Sequence, residues 1–368
     1  GEAHLRRAAA RFINDPFDLA RPLWQFLIVI GLARGRAALI GKVHHSISDG
    51  IGLLRLAANL LEFEADAEPP AAVQLEAVFA TDGEVNGDAG QERRSGPVRM
   101  LGWVQAAVDN IPNPVKLIEA GADAVASART VGGQLPKSHG SQLWSTRSRN
   151  RRLEFCAVSL DSLQERADAL EVTLNDLFVA ACAQAAVHYH ERFDAELPTI
   201  TATVVINTAN ASGDDPPGSG DNSFLPVAIE LPGLGAPAEE RLQTVHDEIR
   251  RRRTELDRRS GAVQTISAIG GLVPSSVAAA LALDQAAKVD FATSNIPGPP
   301  MPTWLAGRPI RRMYPVGPVA GTAFNITLMT FDREALMGIH LDPAAVADPA
   351  ALQRAIARGF NDFGVSRR

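Results

Sequence analysis

The sequence predicts a mixed α/β chain in two lobes. Apolar runs of strand length occur near both ends of the chain, helical stripes alternate with them, and a long stretch poor in large apolar residues separates the two sets. The join lies between residues 64 and 150. A chain of 368 residues is long enough for more than one core, and at 46% hydrophobic and 21% charged it has the composition of a globular protein.

The elements follow in order. Residues 23–32 (LWQFLIVIGL) are rich in β-branched and aromatic side chains and predict a buried strand. Ala33, Arg34, Gly35 and Arg36 make a turn, and residues 37–45 form the partner strand of a hairpin. Residues 51–63 carry leucines at 53, 54, 56, 60 and 61, the apolar stripe of a helix. Residues 64–97 mix Asp, Glu, Gly, Pro and Ala and predict a partly disordered surface linker. Residues 103–130 look helical, with a break at Ile111-Pro112-Asn113-Pro114. A basic approach (TRSRNRR, 146–152) leads into a strand at 153–160, followed by helices at 161–170 and 173–193. Thr173 is the expected N-cap of the second helix, and Asp176 is placed to complete a capping box. Strands are expected at 201–207, 224–231, 291–295, 324–331 and 336–341, with Pro226 putting the second of these at an edge or bulge. A charged helix spans 237–259.

Composition excludes several functions. The net charge of -6 argues against nucleic-acid binding by overall charge, and no nucleic-acid partner is expected. Cys156 and Cys182 are the only cysteines, so there is neither a disulfide framework nor a CxxC metal knuckle, which fits a reducing compartment. No charged-then-apolar leader opens the sequence. Residues 262–283 are long and mostly small or apolar, but Gly270, Gly271 and Pro274 interrupt them, and they read as soluble or interfacial helix.

The chemistry centres on VHHSISDGIG, residues 43–52, where a strand ends and a helix begins. A metal reading needs a third ligand, and His44 and His45 point to opposite faces of a strand, so sharing one ion is difficult. A packing reading makes Asp49 a helix cap and the histidines filler. A catalytic reading makes one imidazole a base, held rigidly at a strand end beside a glycine turn. The chain has no GxSxG elbow, and neither cysteine lies in a nucleophile context. A histidine base without its own nucleophile suggests that the substrate supplies it, as an alcohol or amine attacking an activated acyl group.

HHSISDG resembles the HHxxxDG motif of CoA-dependent acyltransferases, which include chloramphenicol acetyltransferase and nonribosomal-peptide condensation domains. Further segments narrow the likeness. RPLW (21–24), TLNDLFVAACAQAA (173–186), DNSFLPVAIELP (221–232), SNIPGPP (294–300), TWLAGRPI (303–310), YPVGPVAGTAFNIT (314–327) and a last helix ending NDF (361–363) occur in the order seen in bacterial wax ester synthase/diacylglycerol acyltransferases. The resemblance spans nearly the whole chain except residues 64–145.

The resemblance implies a two-lobed chloramphenicol acetyltransferase-like fold, with mixed sheets and flanking helices. It divides the chain into the remainder of an N-terminal lobe (1–63), a linker with connecting helices (64–150) and a C-terminal lobe (151–368). It implies an O-acyltransferase that moves a long-chain acyl group from acyl-CoA to diacylglycerol or a fatty alcohol in a tunnel between lobes. His45 would be the base, His44 and Asp49 its companions, and Gly50 the point of close backbone approach. Asn175 and Asp176 would support the site. Pro22 and Trp24 would lie near a substrate channel, and Pro297 and Gly298 at a lobe interface near the site. The oxyanion donors are sought among Asn295, Asn325 and Thr327. Acyl-CoA is a co-substrate, and no bound cofactor or metal is expected. The four arginines at 250–253 read as a solvated helix face, or as a partner for CoA phosphates or anionic lipid. An apolar acceptor and product imply a cytoplasmic enzyme with peripheral contact to the inner membrane face or a lipid inclusion. Members of the family carry a segment before RPLW that is mostly absent here, which implies a fragment or a separate chain that supplies it. Two rivals are a same-fold acyltransferase for a polyketide or glycolipid alcohol, and a non-catalytic lipid-binding protein.

Overall fold

The computed structural model describes residues 2–44, 60–64, 140–207, 224–257 and 288–366. These all fall in one unit, Gly1–Ala65 with Gln134–Arg368; the second unit, Asp66–Gly133, lies outside them. So do residues 51–59 of the helix expected at 51–63, the helix at 103–130 and the apolar segment at 262–283; the last four residues of the first are not helical, since the backbone of Glu62 pairs with Trp304 instead.

The centre of the fold is a six-stranded mixed sheet in the order β3-β10-β9-β6-β4-β5. Its strands are β3 (Arg152–Ser159), β4 (Thr199–Asn207), β5 (Phe224–Pro232), β6 (Phe291–Ile296), β9 (Phe324–Phe331) and β10 (Glu334–Leu341). β6 runs parallel to β4 and β9, and the other pairings are antiparallel. Pro226 sits on edge strand β5, where a missing N–H is tolerated.

Alternation gives this sheet two distinct faces. Phe324, Ile326 and Leu328 of β9, with Ala335, Met337, Ile339 and Leu341 of β10, enter the main core. Helices α2 (Leu160–Ala169), α3 (Leu174–Arg192) and α5 (Pro349–Asp362) contribute the other side of that core, and α4 (Ala238–Asp257) packs beside α3 and β5. The predicted capping box of α3 is present, with the Thr173 hydroxyl accepting from Asp176 N–H and the Asp176 carboxylate accepting from Thr173 N–H. α3 is buried on nearly every side, which its run of small residues (Ala180, Ala181, Cys182, Ala183, Ala185, Ala186) allows. The closest approach is at Gly359 of α5, where a Cβ would lie 2.3 Å from the Ala181 carbonyl oxygen.

The opposite face carries Asn325, Thr327, Gly338 and His340 and is covered by the segment around Tyr314 to Gly317. A Cβ on Gly338 would come within 1.8 Å of the Pro315 carbonyl, so only glycine lets the segment lie flat there. Phe155 stacks on Tyr314 at 4.5 Å. A small cluster of Ala9, Ala10 and Leu153, joined by Ile13, Ile40 and Val316, fastens α1 (Glu2–Asn14) to this side.

α1 has no counterpart among the elements expected from the sequence. Its signal is Leu5, Ala9, Phe12 and Ile13 at helical spacing among good helix formers. It lies near β1 (Trp24–Leu32), which forms a two-stranded sheet with β2 (Arg36–Val43). The turn uses left-handed backbone at Arg34 and Gly35. The expectation of a buried strand at 23–32 is corrected here. Every second residue is exposed: Trp24 at 52%, Phe26 at 47%, Ile28 at 68% and Ile30 at 79%. A continuous apolar run predicts burial on both faces only when both faces are covered, and among the described residues α1 covers one.

Residues 140–150, within the expected linker, are packed. Trp144 is buried against Tyr189, His190 and Phe324. The Ser141 hydroxyl donates to His190 Nε2 at 2.6 Å, because Nδ1–H is committed to the Ala186 carbonyl at 2.7 Å. Asp290, just before β6, accepts from Ser141 N–H at 2.5 Å and Thr201 N–H at 2.9 Å. Burial pushes its carboxyl up to about 6, against those two hydrogen bonds and the charge of Arg147. The folded state therefore prefers the protonated acid. Its contribution to stability is full below about pH 4 and is lost as pH rises through 6. The stability of the wild type relative to Asp290→Asn should fall by about 2.5 kcal/mol between pH 4 and pH 7.5. Urea unfolding at several pH values checks this, and parallel curves for the two proteins would refute it.

Among the described residues no single helix is long and apolar enough to cross a membrane. α2 and α3 pass the test together but meet at 99°, and α3 is a core helix.

Candidate active site

β2 delivers the motif. Val43 pairs with Trp24, and His44 N–H donates to the Leu23 carbonyl at 2.9 Å. The His44 ring meets Phe17 edge-on at 5.7 Å. Lys42, two residues earlier, sits over Phe17 and Phe12 and donates to the Asp15 carbonyl. His44 and Lys42 therefore share one face of the hairpin, the α1 face. His45, Asp49 and Gly50 lie outside the described residues. Pro22 and Trp24 stand at the exposed start of β1, with Trp24 tilted against Phe26 at 5.7 Å.

A second constellation forms where α3 begins. Asn175 and Asp176 from its first turn, Asn295 and Pro297 from the end of β6, and His246, Arg250 and Arg253 from α4 line a cavity of about 300 Å³. Asp176 is 2% exposed. Its Oδ2 accepts from Thr173 N–H and from His246 Nδ1 at 3.0 Å each, whereas its Oδ1 is buried with no hydrogen-bond partner among the described residues. His246, Ile249, Arg250 and Arg253 fall at i, i+3, i+4 and i+7, one face of the helix. Among the described residues no group of three His, Cys, Asp or Glu side chains is placed to hold a metal ion.

The three candidate oxyanion donors do not converge. Asn295 pairs with Leu328, so it faces the helices and opens on the cavity. Asn325 and Thr327 point to the other face. The Thr327 hydroxyl donates to Asn325 Oδ1 at 2.7 Å and accepts from Gly317 N–H at 3.0 Å. Its one proton is spent in holding the covering segment. His340, opposite Asn325 in the register, donates from Nδ1 to the Gly317 carbonyl, and burial lowers its pKa. Gly298 is a packing position: its N–H donates to Thr330 Oγ1, and a Cβ there would lie 2.0 Å from the Thr330 carbonyl oxygen.

The sequence reading did not single out His246 or His188. His188 bridges Glu191 and Asp362, and Gln184 links Asp362 to Arg241, which donates to the carbonyls of Pro232 and Gly233. The Asp of the NDF segment thus ties α5 to α3 and, through Gln184, to α4. Helical spacing could have grouped His246 with Arg250 and Arg253; its pairing with Asp176 needed the tertiary fold. The segment TWLAGRPI forms a short hairpin, β7 (Trp304–Leu305) with β8 (Arg308–Pro309), bridged to Glu62 by two backbone hydrogen bonds of 2.8 and 2.9 Å.

The wax ester synthase/diacylglycerol acyltransferase catalytic-domain family model matches residues 1–178, and the C-terminal domain of the same family matches residues 221–363. Two Mycobacterium tuberculosis proteins, each described as a probable diacylglycerol O-acyltransferase, are 25% and 26% identical over 96% of this chain and 74% and 75% of their own length. Among solved structures, the wax ester synthase/diacylglycerol acyltransferase from Marinobacter aquaeolei VT8 is 20% identical with a TM-score of 0.58, covering 98% of this chain and 76% of that one. The first condensation domain of the calcium-dependent antibiotic synthetase is 15% identical with a TM-score of 0.51, covering 98% and 71%. These two likenesses bear on fold alone, and the fold is the α/β, chloramphenicol acetyltransferase-like one, a mixed sheet with flanking helices.

Proposed function

This chain belongs to the wax ester synthase/diacylglycerol acyltransferase family, and on that premise we propose that its acyl transfer to diacylglycerol or another alcohol draws on a long-chain acyl-CoA and proceeds directly, with His45 as general base. The observation that carries the reading is that HHSISDG, with its strand end and glycine turn, falls inside the span matched by the catalytic domain. A neutral His45 imidazole takes the proton of the acceptor hydroxyl as its oxygen attacks the thioester carbonyl. The tetrahedral intermediate collapses, the C–S bond breaks, and the imidazolium returns the proton to the CoA thiolate. The products are an ester and free CoA. Asp49 and Gly50 support the base.

Thr327 has committed its one proton to Asn325, which removes it from the three candidate oxyanion donors. Asn175 and Asp176 act as support through the start of α3. A cysteine content of two, Cys156 and Cys182, too low for a disulfide framework, supports a cytoplasmic site of action. The exposed Trp24, Phe26, Ile28 and Ile30 support peripheral contact with a lipid surface that presents the acceptor.

The test offers palmitoyl-CoA with diacylglycerol, hexadecanol and a short alcohol in turn, and follows release of free CoA thiol. Release that depends on one or both lipid acceptors is the expected result. A short or polar alcohol served in preference, with neither lipid turned over, would transfer the reading to another acceptor class.

A further inference from the structure

The cavity at the start of α3 contains a pattern that the reaction above does not use. α4 carries arginines at four consecutive positions. Arg251 pairs with Glu248 and Glu255 at 2.5 and 2.8 Å, and Arg252 lies 3.8 Å from the same two carboxylates. The other two, Arg250 and Arg253, form no ion pair among the described residues, yet they are the two that line the cavity. Two like charges one helical turn apart repel each other, and an anion between them reverses the sign. The N-terminus of the 19-residue α3 faces the same space and adds positive potential from its first-turn N–H groups.

Asp176 is the second, independent observation. Asp176 lines the same cavity, and its Oδ1 is buried with no hydrogen-bond partner among the described residues. A buried carboxylate oxygen without a donor is costly, and it calls for an N–H or O–H from whatever fills the space. A bare anion satisfies the arginines but not this oxygen. A ligand that carries phosphate and, a few bonds away, amide or hydroxyl donors satisfies both.

We propose that this cavity is the docking site for the phosphate-bearing half of CoA, with Arg250 and Arg253 on phosphate oxygens and Asp176 Oδ1 accepting from an N–H or O–H of the same molecule. The proposal rests on the acyl-CoA reading above. A volume of about 300 Å³ suits a part of CoA, at the small end of ligand pockets, with the rest of the donor outside it. A phospholipid headgroup shares the phosphate chemistry, so the test separates the two.

Both arginines are exposed, so the double variant Arg250→Ala/Arg253→Ala should fold. Calorimetric titration with CoA should show its Kd raised about tenfold or more, the scale of two lost charge-assisted hydrogen bonds. The preference in kcat/KM for palmitoyl-CoA over palmitoyl-pantetheine, which lacks the phosphates, should shrink by a similar factor. An unchanged CoA Kd would overturn the assignment. So would lost binding to phosphatidylglycerol vesicles with CoA affinity intact, which would give the arginines to a lipid headgroup. If the variant weakens CoA binding but the wild type acylates neither lipid acceptor, the docking site stands and the proposed acceptor falls.

Discussion

Replacing His45 by alanine should lower acyl transfer by ~10²–10⁴-fold, the range of a lost general base. The loss should lie in kcat, because the imidazole acts on the hydroxyl proton in the transition state, while CoA binding, measured by titration, persists. His44→Ala makes the contrast. Its ring packs on Phe17 on the α1 face of the hairpin, so its removal should act through the shape of the strand end and cost far less. The wild-type rate should also rise with pH as the base loses its proton, a dependence absent from the His45 variant's residual rate. Turnover unchanged in His45→Ala would remove this residue from the mechanism. Equal losses in the two variants would mean that the pair acts as structure.

Gly359→Val should be the most damaging single change in the core. A Cβ at this position lies 2.3 Å from the Ala181 carbonyl oxygen and 3.1 Å from Ala185 N, both of them backbone. No side chain can rotate away, so α3 and α5 must separate. That separation also strains the bonds to Gln184 and His188 from Asp362, three residues on. Overpacking of this kind costs about 3 kcal/mol or more, read as a lower urea midpoint and a Tm several degrees lower. A loss below about 1 kcal/mol would show that the helix pair opens without resistance.

Much of the fold was legible because its signals are local. The capping box at Thr173 and Asp176 is a spacing rule, and the strand runs of β4, β9 and β10 are dense in β-branched or large apolar residues. Pro226 announced an edge strand by what it cannot donate. What stayed hidden depends on partners. The apolar stripe of α1 is short. The outer face of β1 reads as buried from its own residues, since apolar content does not say what covers it. Asn295, Asn325 and Thr327 looked like one group of polar donors near strand ends. Only the register, with Ser294 opposite Thr327 and Asn295 opposite Leu328, reveals that they face opposite ways. The carboxylate of Asp176 served as a cap in the sequence reading, and the structure adds that one oxygen does the capping and the other is left over.

The pairing of β3 with β10 has a consequence for how the protein is made. Arg152 meets Leu341, and Ser159 meets Glu334, so an edge strand of the sheet waits for a neighbour synthesised much later. A ribosome adding about 5–20 residues per second leaves β3 without its neighbour for many seconds, and α5, which lids the same core, emerges later still. Until then the nascent sheet has an open edge and an uncovered apolar face. Such separation in sequence slows folding. It makes β10 and α5 a lock that closes late, and their loss a route to aggregation rather than to a smaller working enzyme.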